Sequence, residues 1–385
     1  MTLNLSGSST TLFLEASQQN VSQTKLVEKE TMTQKLLTQN AQNSRTNNKY
    51  EWKIVWRNVI SLAYLHIVAL YALYFILTME IKPLTVIWNL AVGVLAGIAI
   101  TGGAHRLWCH RAYKAKWPMR VILMILQTAA FQNHIYEWVR DHRVHHKFMD
   151  TDADPHNSKR GFFFSHVGWL MVRKHPDVIS KGATIDMSDL EKDPIVVWQR
   201  RYYAVLMPLL CFVIPTLVPI YFWNEKPIYA WYAAVWRYVT TVNGTWLVNS
   251  AAHMWGMKPY DSSISATNNY GVSYLAFGEG WHNYHHVFPW DYKTSELNNY
   301  GSNLTCAFID FFAWLGWAYD LKTVGHDLIK KRAARTGDNS IYELEGDLND
   351  EHHHTQEKII WGWEDADMSV EDKLAAEIFN KESRD

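Results

Sequence analysis

Residues 135–148 read IYEWVRDHRVHHKF, and the three histidines of the second half, His142, His145 and His146, stand at i, i+3 and i+4. That spacing places three imidazoles on one face of a helix. The same spacing returns in HNYHH, at His282, His285 and His286. Two smaller clusters complete the set: HRLWCH, with His105 and His110, and NSAAH, where Asn249 and His253 are four apart. His105 and His110 are five apart, about 140° on an ideal helix, so that pair is expected at a helix end or distortion.

Neutral imidazole is a ligand for iron, copper, zinc and nickel. A lone histidine is more often a satisfied polar side chain than a ligand, but two HxxHH triples plus two further clusters are not lone. Nine imidazoles suit two metal ions with four or five protein ligands each, and Asn249 is better placed to hold a water ligand than to bind metal. Structural zinc sites are tetrahedral and commonly cysteine-rich; an all-nitrogen set of this size suits iron working with O₂. The remaining histidines (His66, His134, His156, His166, His175, His326 and the run His352–His354) are assigned no metal role.

Each cluster lies beside a long apolar stretch. Four stretches, about residues 58–79, 84–103, 202–223 and 228–251, approach the roughly 20 apolar residues that a bilayer core takes. Short connections around Glu80–Pro83 and Asn224–Pro227 make them two helical hairpins. The hairpin turns carry one lysine each, Lys82 and Lys226, whereas residues 104–201 carry 16 Lys and Arg. The basic side stays in the cytosol, so both termini and all four clusters are expected there. Val121–Phe131 is too short to span and reads as a buried or interfacial helix; Leu304–Tyr319, interrupted by Asp310, reads as an amphipathic interfacial one. The fold class expected is an all-α membrane protein, with four transmembrane helices in two hairpins under a cytosolic helical cap that holds the histidines.

Composition sets the rest. The 385-residue protein has a formal charge of −1, which gives no polyanion-binding signature and argues against a nucleic-acid partner. Its 19 Trp and 20 Tyr suit a protein with much interfacial surface. Three scattered cysteines offer neither a disulfide framework nor a Cys-x-x-Cys site. Residues 1–50 are polar and read as a disordered cytosolic tail, 51–335 as the membrane domain, and 336–385 as an acidic cytosolic tail around an apolar island, IIWGW at 359–363.

The phrases TGGAHRLWCHRAYKA, QNHIYEWVRDHRVHHKF, TDADPHNSKRGFFFSHVGWLMVRKHPDV, TWLVNSAAHMWG and GEGWHNYHHVFPWDYKTSE resemble, in this order and with these intervals, the membrane acyl-CoA desaturases of the stearoyl-CoA desaturase family. The resemblance runs from about Trp52 to Gly337, and AFIDFFAWLGWAYDLKTV and WGWEDADM resemble the insect branch. It implies a di-iron (Fe²⁺) enzyme of the endoplasmic reticulum membrane that inserts a cis double bond, Δ9 by default, into a long-chain fatty acyl-CoA. O₂ and electrons from cytochrome b5 and its NAD(P)H-dependent reductase would be used. No heme-binding HPGG phrase is present, so the b5 donor is expected as a separate protein.

Carried over by motif, the metal ligands are the nine clustered histidines, with Asn249 acting through water. Gln132, Trp138 and Thr245 match positions at the bend of the substrate tunnel, and Asn133, Arg140, Asp141, Arg173 and Lys174 match CoA contacts. One departure stands out: where family members commonly carry a bulky Tyr near the tunnel end, this sequence has Gly93, with Gly97 a turn later, which implies a deeper tunnel and longer acyl groups. Two other functions share features of the pattern. A di-iron fatty acyl or sphingolipid hydroxylase would use a similar histidine frame and yield an alcohol. A metal transporter or storage protein would place its ligands nearer the bilayer midplane.

Overall fold

The computed structural model describes residues 50–296, 299–340 and 359–381. Contacts divide the protein at Trp52, and everything below concerns the second unit, Lys53–Asp385. The polar segment 1–49 and the run His352–His354 lie outside the described residues.

Helix α1 (Trp56–Leu77) leads through a turn into α2 (Pro83–Ile98), which continues without a break as a π-helix, Ala99–Cys109. Helices α3 (Trp117–Ala129) and α4 (Ile135–Phe148) follow. Short helical turns then lead to α5 (Pro194–Pro208), which runs through a π turn at Leu209–Val213 into α6 (Ile214–Trp223). Next come α7 (Pro227–Asn249), the short α8 (His282–Val287), α9 (Leu304–Trp314) and α10 (His326–Thr336). Two small antiparallel pairs complete the unit: β1 (Lys114–Ala115) with β2 (Ala318–Tyr319), and β3 (Leu321–Val324) with β4 (Ala376–Phe379). Pro83, Pro194 and Pro227 open their helices, where the missing N–H is one the helix cannot use.

Among the described residues, three helices are long and apolar enough to cross a membrane: Trp56–Leu77, Pro83–Cys109 and Pro194–Trp223. The fourth expected span corresponds to the 23-residue helix α7, which is less apolar and is not among these three. Packing explains this. Helix α7 lies against α1, α2 and α6, with Ala230, Ala233 and Ala234 fully buried where backbones approach. A helix shielded on several sides can carry Arg237, Thr241, Asn243 and Thr245, provided each finds a partner. Arg237 bonds the carbonyls of Ala129 and Cys211, and Asn243 bonds His66 and His166. By contrast, α1 and α6 expose Ile60, Ile67, Leu70, Leu217 and Phe222, as lipid-facing surface does.

The two hairpin turns are tied together. Lys82 Nζ donates to the carbonyls of Trp223 and Asn224 at 2.7 and 2.9 Å, while Glu225 accepts from the Lys82 N–H and the Thr85 hydroxyl. Helices α3 and α9, with 13 and 11 residues, are too short to span; both pack on the π-helix.

The segment read from sequence as an acidic tail departs from that reading. Residues 359–381 lie against the body: Ile360 and Met368 join a buried cluster with Tyr260, Tyr284 and Phe288, and β4 pairs with β3 from Leu321↔Phe379 to Val324↔Ala376. The acidic side chains that give the segment its polar composition are used in that packing. Asp365 accepts from the Trp361 N–H at 2.8 Å and pairs with Lys147.

Candidate metal centre

The π-helix resolves the awkward five-residue spacing. Its backbone bonds run from residue i+5 to residue i, as in His110 N to His105 O at 3.0 Å. Five residues then make nearly one turn, and the His105 and His110 rings sit 4.6 Å apart, centroid to centroid. An α-helix would have sent them to different faces.

All nine clustered histidines converge from the π-helix, α4, the end of α7 and α8. They form two groups whose ligand atoms are close enough to hold an ion: His105, His110, His142, His146 and His285 in one, His145, His253, His282 and His286 in the other. Ring nitrogens face one another at 2.9 Å (His105 and His285), 3.1 Å (His146 and His285), 2.9 Å (His253 and His282) and 3.0 Å (His282 and His286). Metal–imidazole bonds of about 2.1 Å at right angles put ligand atoms about 3.0 Å apart.

The outer partners show which nitrogen faces inward. His105 Nδ1 lies 2.9 Å from Glu279 and His145 Nδ1 lies 2.9 Å from Asp154; His110 Nδ1 bonds the Trp361 carbonyl. These partners only accept, so each Nδ1 carries the proton and leaves Nε2 a bare lone pair. His110 Nε2 is buried without a hydrogen-bond partner. Bare, converging nitrogens are what a metal requires, and the donor set fits one.

Burial, then neighbouring imidazoles, hold His142, His146, His282, His285 and His286 well below the usual imidazole value. Burial and then His145 pull His253 and His156 down to about 3 from 6.5. A folded value below the unfolded one means the stability contributed is full above 6.5 and is lost as pH falls from 6.5 toward 3. Metal content of the purified protein is therefore expected to stay level from about pH 7.5 to about 5.5, where ordinary imidazole ligands protonate. Elemental analysis after dialysis measures it; a release midpoint near pH 6.5 would contradict the neutral, buried set.

The other sequence-derived positions divide. A narrow cavity of about 50 Å³ beside the histidines is lined by Gly97, Trp138, Thr245 and Asn249 among others. Trp138 stacks on His142, and Gln132 Nε2 donates to Thr245 Oγ1 at 3.0 Å. Arg140, Asp141 and Lys174 line a separate cavity of about 470 Å³, where Lys174 pairs with Asp141 and Glu137. Asn133 turns the backbone before α4 with φ 68°, and its carbonyl accepts from Gln127. Arg173 is exposed, its backbone bonded to Lys53.

Gly93 faces packed side chains, whereas Gly97 borders the narrow cavity. A Cβ on Gly93 would meet Arg237 and Thr241 at 3.1 Å, and one on Gly97 would overlap the Phe277 ring. Arg237, Thr241 and Phe277 pack against the helix face left bare by the two glycines. Sequence reasoning also passed over Glu279, Asp154, Arg106 and Trp361, the partners that orient the histidines. Glu279 and Asp154 lie three and nine residues from a ligand, in GEGWH and DADPH; acidic residues so near an HxxHH box were the available signal.

The class this defines is a helical protein with membrane-length helices and a buried, histidine-built candidate metal centre. A fatty acid desaturase family model matches residues 81–298. An acyl-CoA Delta-9 desaturase of Acheta domesticus is 58% identical over 336 residues, 87% of this protein and 89% of the relative. An acyl-CoA Delta12-desaturase of the same species is 54% identical over 84% of this protein and 85% of its own length. An acyl-CoA Delta(11) desaturase of Trichoplusia ni is 51% identical over 86% and 89%. The protein belongs to the fatty acid desaturase family and is an oxidoreductase.

Proposed function

We propose that the protein inserts a cis double bond, at Δ9, into long-chain saturated fatty acyl-CoA, using O₂ and electrons from a separate cytochrome b5 and its NAD(P)H-dependent reductase. The observation that carries this reading is the convergence of nine imidazoles in two groups beside a narrow, mostly apolar cavity. One iron would be held by His105, His110, His142, His146 and His285, the other by His145, His253, His282 and His286, with Asn249 acting through water. Bound there, iron supplies with O₂ the oxidising chemistry that an unactivated methylene in the middle of an acyl group requires and that no amino-acid residue provides.

The protein's own residues hold the substrate. Trp138, stacked on His142, and the Gln132–Thr245 bond form a stiff wall that bends the acyl group and presents one pair of carbons. Orientation of this kind is worth more than any single contact. Arg140 and Lys174, with Asn133, Asp141 and Arg173, form a polar rim for the CoA phosphates, to which guanidinium and ammonium groups are suited. In the membrane of the endoplasmic reticulum, α1, α2, α5–α6 and α7 would be the four spans, with both termini and the metal end on the cytosolic side.

Related proteins of three regiochemistries are 51–58% identical to this one over 84–87% of its length, so bond position needs its own test. Expression in a yeast lacking its own desaturase, with double bonds located by mass spectrometry of derivatised lipids, is expected to give Δ9 monoenes. An alcohol product would make the protein a hydroxylase; a bond at carbon 11 or 12 would keep the class and overturn the position.

Preference for acyl length turns on Phe277. Its ring occupies the space opposite Gly97, and its backbone sits at φ 56° with the carbonyl held by Thr305. Phe277→Ala is expected to shift preference toward longer acyl groups, since each methylene accommodated in an apolar pocket is worth about 1–3 kcal/mol. Competition among acyl-CoAs of graded length measures the shift; an unchanged profile would remove Phe277 from the tunnel.

A further inference from the structure

Residues 359–363 do more than cover an apolar patch. Five features fix them to the first histidine cluster. The Trp361 carbonyl accepts from His110 Nδ1. The Trp363 N–H donates to the His110 carbonyl at 2.9 Å, so the ring and the backbone of one histidine are held by residues two apart. Gly362, between them, lies flat on the His110 backbone at φ 157°; a Cβ there would come within 2.6 Å of the His110 oxygen and 2.7 Å of its Cα. Arg143, in the turn between His142 and His145, places its guanidinium 4.0 Å from the centre of the Trp361 ring. Lys147, next to His146, donates to the Ile359 carbonyl and pairs with Asp365 and Asp367.

The target is specific. His110 belongs to the five-histidine group, and its Nε2 is buried with no hydrogen-bond partner. An imidazole whose Nδ1–H is held by a carbonyl keeps one tautomer and one ring orientation, which is how outer partners tune a metal ligand. The others of this kind, Glu279 on His105 and Asp154 on His145, lie in the body of the fold. Trp361 reaches its histidine from a segment 251 residues along the sequence, close to the C-terminal end of the described residues.

We propose that residues 359–367 form a strap that completes the five-histidine half of the metal centre, with Trp361 acting through its backbone carbonyl as the positioning residue for His110. The inference rests on the two-metal reading above. It makes the two halves unequal: the four-histidine group holds its metal without the strap, and the five-histidine group does not.

Gly362→Ala tests this in the full-length protein, because a methyl there drives the strap off His110 while every histidine stays. The parent, Gly362→Ala, Asp365→Asn and Trp361→Phe are purified in detergent, loaded with iron-57, and measured for iron per molecule and by Mössbauer spectroscopy. Circular dichroism reports folding. Gly362→Ala is expected to fall from two irons per molecule to one, with one spectral component lost. Asp365→Asn, which weakens the hold on the Trp361 N–H, should lose part of the same component. Trp361→Phe keeps the carbonyl and should keep both irons. If Gly362→Ala unfolds, the Asp365→Asn and Trp361→Phe pair gives the same decision. Retention of both irons with the parent's spectrum, or loss of both together, overturns the strap and leaves the two-metal reading standing. A parent that binds no iron overturns both.

Discussion

His145→Ala should reduce desaturated product to below about 1% of the parent, because even outer partners of metal ligands are worth 10–100-fold. His145 is fixed by Asp154 at 2.9 Å, and its ring lies 5.0 Å from that of His253 and 5.1 Å from that of His286, so its loss removes one of four imidazoles from that group. The yeast assay reads the loss directly, with His326→Ala as the comparison, since His326 lies at an exposed helix start away from either group. Parent-level product from His145→Ala would remove the four-histidine group from the chemistry.

The second large effect concerns folding. Arg106 is fully buried; it donates to Glu279 at 2.9 and 3.1 Å, to the carbonyls of Tyr292 and Lys293, and to Asn303. The Glu279 carboxylate, also buried, serves His105 through its other oxygen. Arg106→Met would strand that carboxylate in the interior, and breaking a buried pair from one side costs about 3–5 kcal/mol. The variant should therefore melt well below the parent in detergent. Arg106→Lys should recover little of the loss, because an ammonium cannot reproduce the planar fork. An unchanged melting temperature for Arg106→Met would mean that Glu279 is protonated or solvated when its partner is gone.

Much of the centre is legible in the sequence because its geometry is local. The i, i+3, i+4 spacing of His142, His145 and His146 survives on α4, and the stretches read from 84 and 228 begin within a residue of the helix starts at Pro83 and Pro227, whereas the one read from 202 starts earlier, at Pro194. What was not legible depends on partners far along the sequence. Gly93 and Gly97 give no sign of the Arg237 and Phe277 side chains that pack against them from other elements. The polar composition of 359–381 hides a packed segment because Asp365 folds back onto its own backbone and onto Lys147. Helix α7 is less apolar than the other long helices because it faces protein. The π-helix has no side-chain code of its own; the five-residue spacing of His105 and His110 was its one trace.

The long reach between ligands also bears on how the molecule is made. His105 and His285, whose ring nitrogens lie 2.9 Å apart, are separated by 180 residues, and Trp361 comes later still. A ribosome delivers these residues in order, so His105 and His110 reach their places long before the groups that close around them. Until then they are bare imidazoles at the end of an inserted helix. On the two-metal reading, metal acquisition would be complete only late in biosynthesis, and a nascent polypeptide that stalls before residue 359 has its long apolar helices but an unfinished histidine centre.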